Sequence, residues 1–290
     1  MLNRKLPKNK NWTKIIILFV IIFSIFGTIQ FLNFSYLNKI ESQAKESIEK
    51  SQLSIKKSRA IVAKRNEPVY IELPGTKKVR AIVDDYTKPD SVWVLVNKTN
   101  PLPIEYRPSE LKIPNVKTRT DKSDDERSVR SDIEKALIDM FLASEKDGYY
   151  LMIGSGYRSS DLQSLYFYSL ANSVGEINAN QSIARPGQSE HQTGLSVDIS
   201  TISQECYLSE CFATTGDGLW LLENSYKFGF ILRFPKDKES ITGYNYEPWH
   251  FRYVGAELAT AIHESGLTFE EVWPYLEKAL EKLKSNGAIK

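Results

Sequence analysis

Ser189-Glu190-His191-Gln192-Thr193-Gly194-Leu195-Ser196-Val197-Asp198 sets a histidine and an aspartate seven residues apart, with a glycine between them. On a straight strand, positions seven apart point to opposite faces. A shared ligand therefore requires a turn. Thr193-Gly194 is where a turn is cheapest, because glycine accepts backbone angles that other residues avoid. A helix over the same stretch is disfavoured by Gly194 and by the β-branched Thr193, Val197 and Ile199. The expectation is His191 on a loop and Asp198 on a strand running from Leu195 to Ile199.

Far downstream, Glu247-Pro248-Trp249-His250 supplies a second histidine, with a glutamate three residues before it. Pro248 keeps Glu247 extended and stops a helix from running through. The helical HExxH arrangement of many zinc peptidases is therefore absent. Glu247 and His250 converge only if the chain bends at Pro248 and Trp249. Two imidazoles and a carboxylate (His191, Asp198 and His250) make a three-ligand zinc set with an open fourth position. Glu247 is then free to serve as the base for a water. Each motif alone also reads as an ordinary structural turn; the pair together points to a metal. His191, His250 and His263 are the only histidines in the chain. His263 lies in an alanine-rich helix and reads as structural.

The 290 residues hold one sizeable domain plus appendages. A composition of 41% hydrophobic and 26% charged residues is that of a globular protein, and a formal net charge of +2 gives nucleic-acid binding no support. Arg4, Lys5, Lys8, Lys10 and Lys14 form a basic flank before an apolar run from Ile15 to Phe34. About 20 apolar residues are enough to span a membrane. A cleaved signal peptide would end in small residues, whereas Phe31, Leu32, Phe34 and Tyr36 are large. The expectation is a cytoplasmic basic segment over 1–14, an uncleaved single-pass anchor over 15–34 and an extracytoplasmic remainder. Residues 35–68 read as a helical stalk or linker, with Leu37, Ile40, Ala44 and Ile48 at helical spacing. That stripe suits either self-association through the stalk or a plain spacer. Pro68 and Pro74-Gly75 mark a boundary, and 69–290 reads as the main domain, with its core over about 92–275.

Within that domain, Val69 to Ile71 and Val79 to Val83 suggest a hairpin, and Ser91 to Val96 a strand. Val129, Ile133, Leu137, Met140 and Phe141 share one helix face, predicting a helix over about 125–145. Tyr149 to Ile153 reads as a buried strand that delivers Gly154-Ser155-Gly156-Tyr157-Arg158 into a turn. A helix is expected over about 160–171, where Ser160 and Gln163 fit a capping box, and a polar loop over 178–188. Further helices are expected from Gly218 to Lys227, from Glu257 to Glu264 and from a Thr268/Glu271 capping box to about Leu283. Phe230 to Phe234 reads as a strand. Helices and short strands without a repeating βαβ order indicate an α+β fold. Cys206 and Cys211, the only cysteines, could form a short-loop disulfide outside the membrane; free thiols or a metal clip stay open. Trp249 and Tyr246 suit either a cavity wall or the core.

With both motifs in view, the chain resembles the zinc carboxypeptidases of the VanY/LdcB type, in the D-Ala-D-Ala carboxypeptidase (M15) family. The residues that carry this are Ser155-Gly156-Tyr157-Arg158-Ser159, then Gln163, the opening stretch, and Glu247-Pro248-Trp249-His250-Phe251-Arg252-Tyr253-Val254-Gly255. Ser196 stands where the family more often has alanine. The resemblance spans about Val92 to Tyr275. It implies zinc at His191, Asp198 and His250, a catalytic carboxylate at Glu247, and substrate contacts from Arg158, Gln163 and Ser189. The implied fold is the α+β one shared with the Hedgehog signalling domain, a small antiparallel sheet flanked by helices.

The implied activity is zinc-dependent D,D-carboxypeptidase action on peptidoglycan stem peptides ending in D-Ala. An L,D-carboxypeptidase acting on tetrapeptide stems would carry the same motifs. A non-catalytic zinc-containing cell-wall binding protein is the alternative of another class, and a structural site has no need of a base such as Glu247.

Overall fold

The computed structural model describes residues 10–289, in two compact units that meet between Lys64 and Arg65. The basic residues Arg4, Lys5 and Lys8 lie outside the described residues. The first unit is the helix α1 (Lys10–Arg65). Between Ile15 and Phe34 its apolar side chains are exposed on every side. A helix that is hydrophobic all round belongs in a protein core or in a membrane. At about 1.5 Å per residue, those 20 residues cover the ~30 Å hydrocarbon core. Among the described residues, this helix is long and apolar enough to cross a membrane. Its polar half stays helical through the stretch expected to be a stalk. Lys45–Glu41 and Lys50–Glu46 pair at 2.6 and 2.7 Å across one helical turn, an exposed arrangement that solvent screens to little net stabilisation.

The second unit begins with the hairpin β1 (Tyr70–Ile71) and β2 (Val79–Arg80), which pair antiparallel. Residues 91–96, expected as a strand, are buried but irregular. Their carbonyls are taken by a guanidinium instead of a neighbouring strand: Arg252 Nη2 donates to Val92 O and Val94 O at 3.0 and 2.9 Å.

The single helix expected over 125–145 is divided. It comprises α2 (Asp124–Arg127), a strand β4 (Val129–Arg130) paired with β3 (Leu111–Lys112), and α3 (Ser131–Lys146). Ser123 and Glu126 close α2 with a capping box. The carbonyls that would extend it accept other donors: Gly156 N bonds Glu126 O at 2.5 Å and Tyr157 N bonds Ser128 O at 2.7 Å. Gly156 is required there, because a Cβ would lie 2.2 Å from Ser128 O.

Next come β5 (Leu151–Ser155), α4 (Ser160–Val174), α5 (Glu176–Ser182) and β6 (Ser196–Thr201). The cap of α4 is Ser159, one residue before the expected Ser160; its Oγ accepts from Leu162 N at 3.2 Å. α5 occupies part of the expected 178–188 loop, and it is anchored by the fully buried Ala179. The chain continues through α6 (Gly216–Asn224), β7 (Phe230–Leu232), α7 (Glu239–Thr242), β8 (His250–Tyr253), α8 (Ala256–Ser265) and α9 (Phe269–Ser285). The Thr268/Glu271 capping box of α9 forms as read. Cys206 and Cys211 are joined as a disulfide.

The main sheet has the order β5-β6-β8-β7, antiparallel throughout. Alternation along β6 divides its side chains between two faces. Val197 and Ile199 join a core with Ile133, Leu137 and Met140 of α3 and Leu221 of α6. Ser196, Asp198 and Ser200 point the other way. A second core joins β1 and β2 to α8 and α9 through Ile71, Val79, Leu258, Val272 and Leu276. One sheet face is thus sealed by helices, leaving Asp198 and its row for chemistry.

Candidate metal centre

Sheet register builds the first half of the site. Asp198 of β6 stands directly opposite His250 at the start of β8, and directly opposed residues lie on one face. A bulge between Ile153 and Ser155 brings Ser155 into the same row, opposite Asp198. His191 arrives from a single 3-10 turn over Glu190–Thr193, ended by Gly194 at φ 68°. A left-handed residue is what this turn needs to feed β6. Thus His191 is on a loop and Asp198 on a strand. His250 N donates back to Glu247 O at 3.2 Å, closing the bend at Pro248-Trp249.

His191 Nε2 lies 3.2 Å from Asp198 Oδ2, and His250 Nδ1 lies 3.1 Å from Asp198 Oδ1. Among the described residues, these three form a group whose candidate ligand atoms lie within 4.8 Å of one another. All three are buried. Two imidazole nitrogens and one carboxylate oxygen, converging in this way, fit the ligand set of a catalytic zinc. Glu247 Oε2 stands 3.7 Å from His250 Nδ1 with its side chain 13% exposed, beside the donor set.

The electrostatics follow from burial and proximity. Burial opposes the Asp198 charge, but His191 and His250 outweigh it and hold the carboxyl far below the usual range. Burial lowers His191. Burial also works against the His250 cation, yet the neighbouring carboxylates of Asp198 and Glu190 raise it to about 9. Glu247 is pushed up to about 8, chiefly by burial, with His250 pulling the other way and Asp198 adding to the rise. A bound dication would pull Glu247 back down, since the ion becomes the largest local charge.

Arg158, Gln163 and Ser189 line the same cavity of about 690 Å³ as the three donors and Glu247. Arg158 Nη1 donates to Gln163 Oε1 at 2.9 Å and Nη2 to Ser155 Oγ at 3.0 Å. Its Nε is buried with no partner. Gln163 is locked in turn, donating to Ala184 O at 2.6 Å. It therefore sits behind the guanidinium and holds it. Tyr246 and Trp249 line the cavity, whereas His263 is remote and stacks on Tyr226.

Other residues escaped the sequence reading. All four residues inside the disulfide, Tyr207 to Glu210, line the cavity. Beneath the donors, Glu190 is buried against two arginines. Arg233 Nε and Arg252 Nη1 donate to Glu190 Oε1 at 2.8 and 2.7 Å. Arg252 had a usable signal, since it lies two residues beyond His250 on one strand and so shares its face. Arg233 had none.

A family model described as VanY: D-alanyl-D-alanine carboxypeptidase matches residues 126–256, which hold every residue placed at this site. The chain is 45% identical over 202 residues to the putative carboxypeptidase YodJ of Bacillus subtilis (strain 168), covering 70% of this chain and 74% of that one. It belongs to the VanY-type carboxypeptidases of peptidase family M15. Two solved structures agree with this family in fold, which is helices around small antiparallel sheets. The LdcB LD-carboxypeptidase aligns with TM-score 0.62 at 43% identity, covering 70% of this chain and 94% of that one. A VanY D,D-pentapeptidase from a VanB-type vancomycin resistance cassette, in complex with Zn(II), aligns with TM-score 0.51 at 36% identity, covering 65% and 99%.

Proposed function

We propose that this chain is a zinc-dependent D,D-carboxypeptidase that removes the C-terminal D-alanine from peptidoglycan stem peptides. The observation that carries the proposal is Glu247 standing beside, but outside, a converging His191, Asp198 and His250 set on the floor of one cavity. Those three residues would hold the metal. When bound, zinc supplies Lewis acidity, polarising the scissile carbonyl and making water acidic enough to lose a proton near neutral pH. Glu247 takes the water proton and passes it to the leaving amine of D-alanine. Arg158 presents a planar fork for the peptide carboxylate or the developing oxyanion, and Gln163 keeps that fork aimed. Ser189 contributes a hydroxyl at the cavity wall. Burial of the donors excludes bulk water and strengthens each of these charges.

L,D-carboxypeptidase action on tetrapeptide stems is a second reading. It is supported by the LdcB likeness, which exceeds the VanY one in both identity and TM-score. In either case α1 would anchor the enzyme in the cell membrane, N-terminus inside and second unit outside, as residues 15–34 suit a span and the substrate lies in the wall. The zinc-loaded chain from Arg65 onward, incubated with pentapeptide and tetrapeptide stems, should release D-alanine from one of them, identified by mass. Glu247→Ala should keep its zinc and lose release by at least ~100-fold, the scale of a positioned acid–base group. Release that survives this substitution, or a chelator, sinks the mechanism.

A further inference from the structure

The two imidazoles of the metal set face Asp198 through different nitrogens. His191 turns Nε2 toward Asp198 at 3.2 Å and places Nδ1 2.6 Å from Gly156 O. His250 turns Nδ1 toward Asp198 at 3.1 Å and directs Nε2 away from it. A nitrogen that ligates a metal has no proton, so the proton of the neutral ring sits on the other nitrogen. For His191, that proton is on Nδ1 and the Gly156 carbonyl accepts it. For His250, it is on Nε2, which is buried and has no hydrogen-bond partner. A buried donor left unpaired costs about 1–3 kcal/mol.

One carboxylate faces that nitrogen: Glu190 Oε2, at 3.6 Å. The distance is a few tenths of an ångström beyond a hydrogen bond. Glu190 has nowhere else to go. Its Oε1 is fixed by Arg233 and Arg252 at 2.8 and 2.7 Å, and its Oε2 accepts Ser196 Oγ at 3.1 Å. Its side chain is 1% exposed. The arginines are themselves clamped. Arg233 bonds both oxygens of Glu270 at 2.7 and 2.5 Å, and Arg252 holds the carbonyls of Val92 and Val94. The carboxylate is thus aimed from three sides at the back of one ligand.

We propose that Glu190 is a positioning residue for His250: its arginine-held carboxylate accepts a hydrogen bond from Nε2–H and fixes the tautomer that leaves Nδ1 for the metal. A carboxylate behind a ligating imidazole also raises its basicity, and removing such a partner typically weakens metal binding about 10–100-fold. The inference rests on the metal reading of His191, Asp198 and His250. If Glu190 were only a counter-ion for two buried arginines, zinc affinity would not depend on it in folded protein.

The test uses the full chain in detergent, labelled with 15N-histidine. In the zinc-loaded wild type, long-range 1H–15N spectra of the three imidazoles should find the His250 proton on Nε2 and the His191 proton on Nδ1. Zinc dissociation is measured in parallel by competition with a chromophoric chelator, with metal-free thermal unfolding as the control for folding. Glu190→Gln keeps the shape and removes the charge. It should bind zinc about 10–100-fold more weakly, and the rise in Tm on zinc addition should shrink to match. A His250 proton on Nδ1 overturns the proposal, and so does unchanged zinc affinity in folded Glu190→Gln. If that variant does not fold, Glu190→Asp, which keeps the charge for the arginines but draws the carboxylate back from Nε2, takes its place in the zinc measurement, and unchanged affinity there overturns the proposal. A wild type that binds no zinc overturns the metal reading itself, and this proposal with it.

Discussion

Replacing Arg233 by methionine should destabilise the second unit by about 3 kcal/mol, near the lower end of the ~3–5 kcal/mol seen when one partner of a buried ion pair is removed. Arg233 is fully buried. Its guanidinium makes three charge-assisted bonds, one to Glu190 and two to Glu270. With Arg252 included, the cluster holds two arginines and two glutamates and is neutral; the substitution leaves it with one uncompensated negative charge. Two features keep the loss at the low end. Glu190 retains Arg252, and Glu270 is 13% exposed and also accepts from Asn97 Nδ2 at 3.2 Å. Methionine recovers part of the packing against Phe234 and Phe269. For a unit of this size, a loss of ~3 kcal/mol lowers Tm by roughly 6–12 °C.

The assay is urea unfolding of the chain from Arg65 onward in the presence of chelator, so that metal binding does not enter the comparison. The double variant Arg233→Met/Glu270→Leu restores neutrality. It should return to within about 1 kcal/mol of the wild type, because a whole buried pair often exchanges for apolar residues at little cost. A single variant within ~1 kcal/mol of the wild type, or a double variant no better than the single, would refute the reasoning.

Three other outcomes are expected. Glu126 is held down to about 2 from an ordinary 4.5: burial works against its charge, but bonds from Tyr166, Lys122 and Ser123 outweigh it. A depressed carboxylate stabilises the fold above its unfolded pKa, so the advantage of wild type over Glu126→Gln should shrink as pH falls from 4.5 to about 2; an advantage independent of pH contradicts this. Zinc uptake at pH 7 should release protons, since His250 near 9 and Glu247 near 8 are protonated without metal. Calorimetry in buffers of different ionisation enthalpy counts those protons, and an equal count at pH 7 and pH 10 would speak against the assignment. Finally, Cys206→Ser/Cys211→Ser frees the cavity wall from Tyr207 to Glu210, and should raise KM for stem peptides while zinc content stays unchanged. An unaltered KM would mean that the wall does not touch substrate.

Much of the site was legible because its chemistry is carried by residue types that are rare or locally patterned. Three histidines leave few ways to build a two-imidazole set. Gly194 announced the turn before β6, and Pro248 announced the bend before β8. Helix boundaries were less legible. Val129 has the period of the α3 face, but it pairs in a strand because the carbonyls of Glu126 and Ser128 accept Gly156 and Tyr157. That competition lies some 30 residues away, beyond any local window. Residues 91–96 have strand composition, yet their carbonyls serve Arg252, and composition does not say which acceptor a donor will find.

By itself, then, the sequence determined the candidate donor types, the turn and bend that allow them to meet, the apolar run of α1 and the α+β character, all consequences of residue chemistry, local backbone preference and periodicity. Tertiary structure alone decided that Asp198 faces His250 across a strand pair, that the two histidines present opposite nitrogens, and that Glu190 is fixed between Arg233 and Arg252. Those choices depend on sheet register and on contacts 37 to 62 residues apart in the chain. A buried charge takes its partner from whatever the fold brings within 3 Å, and no spacing in the sequence records that.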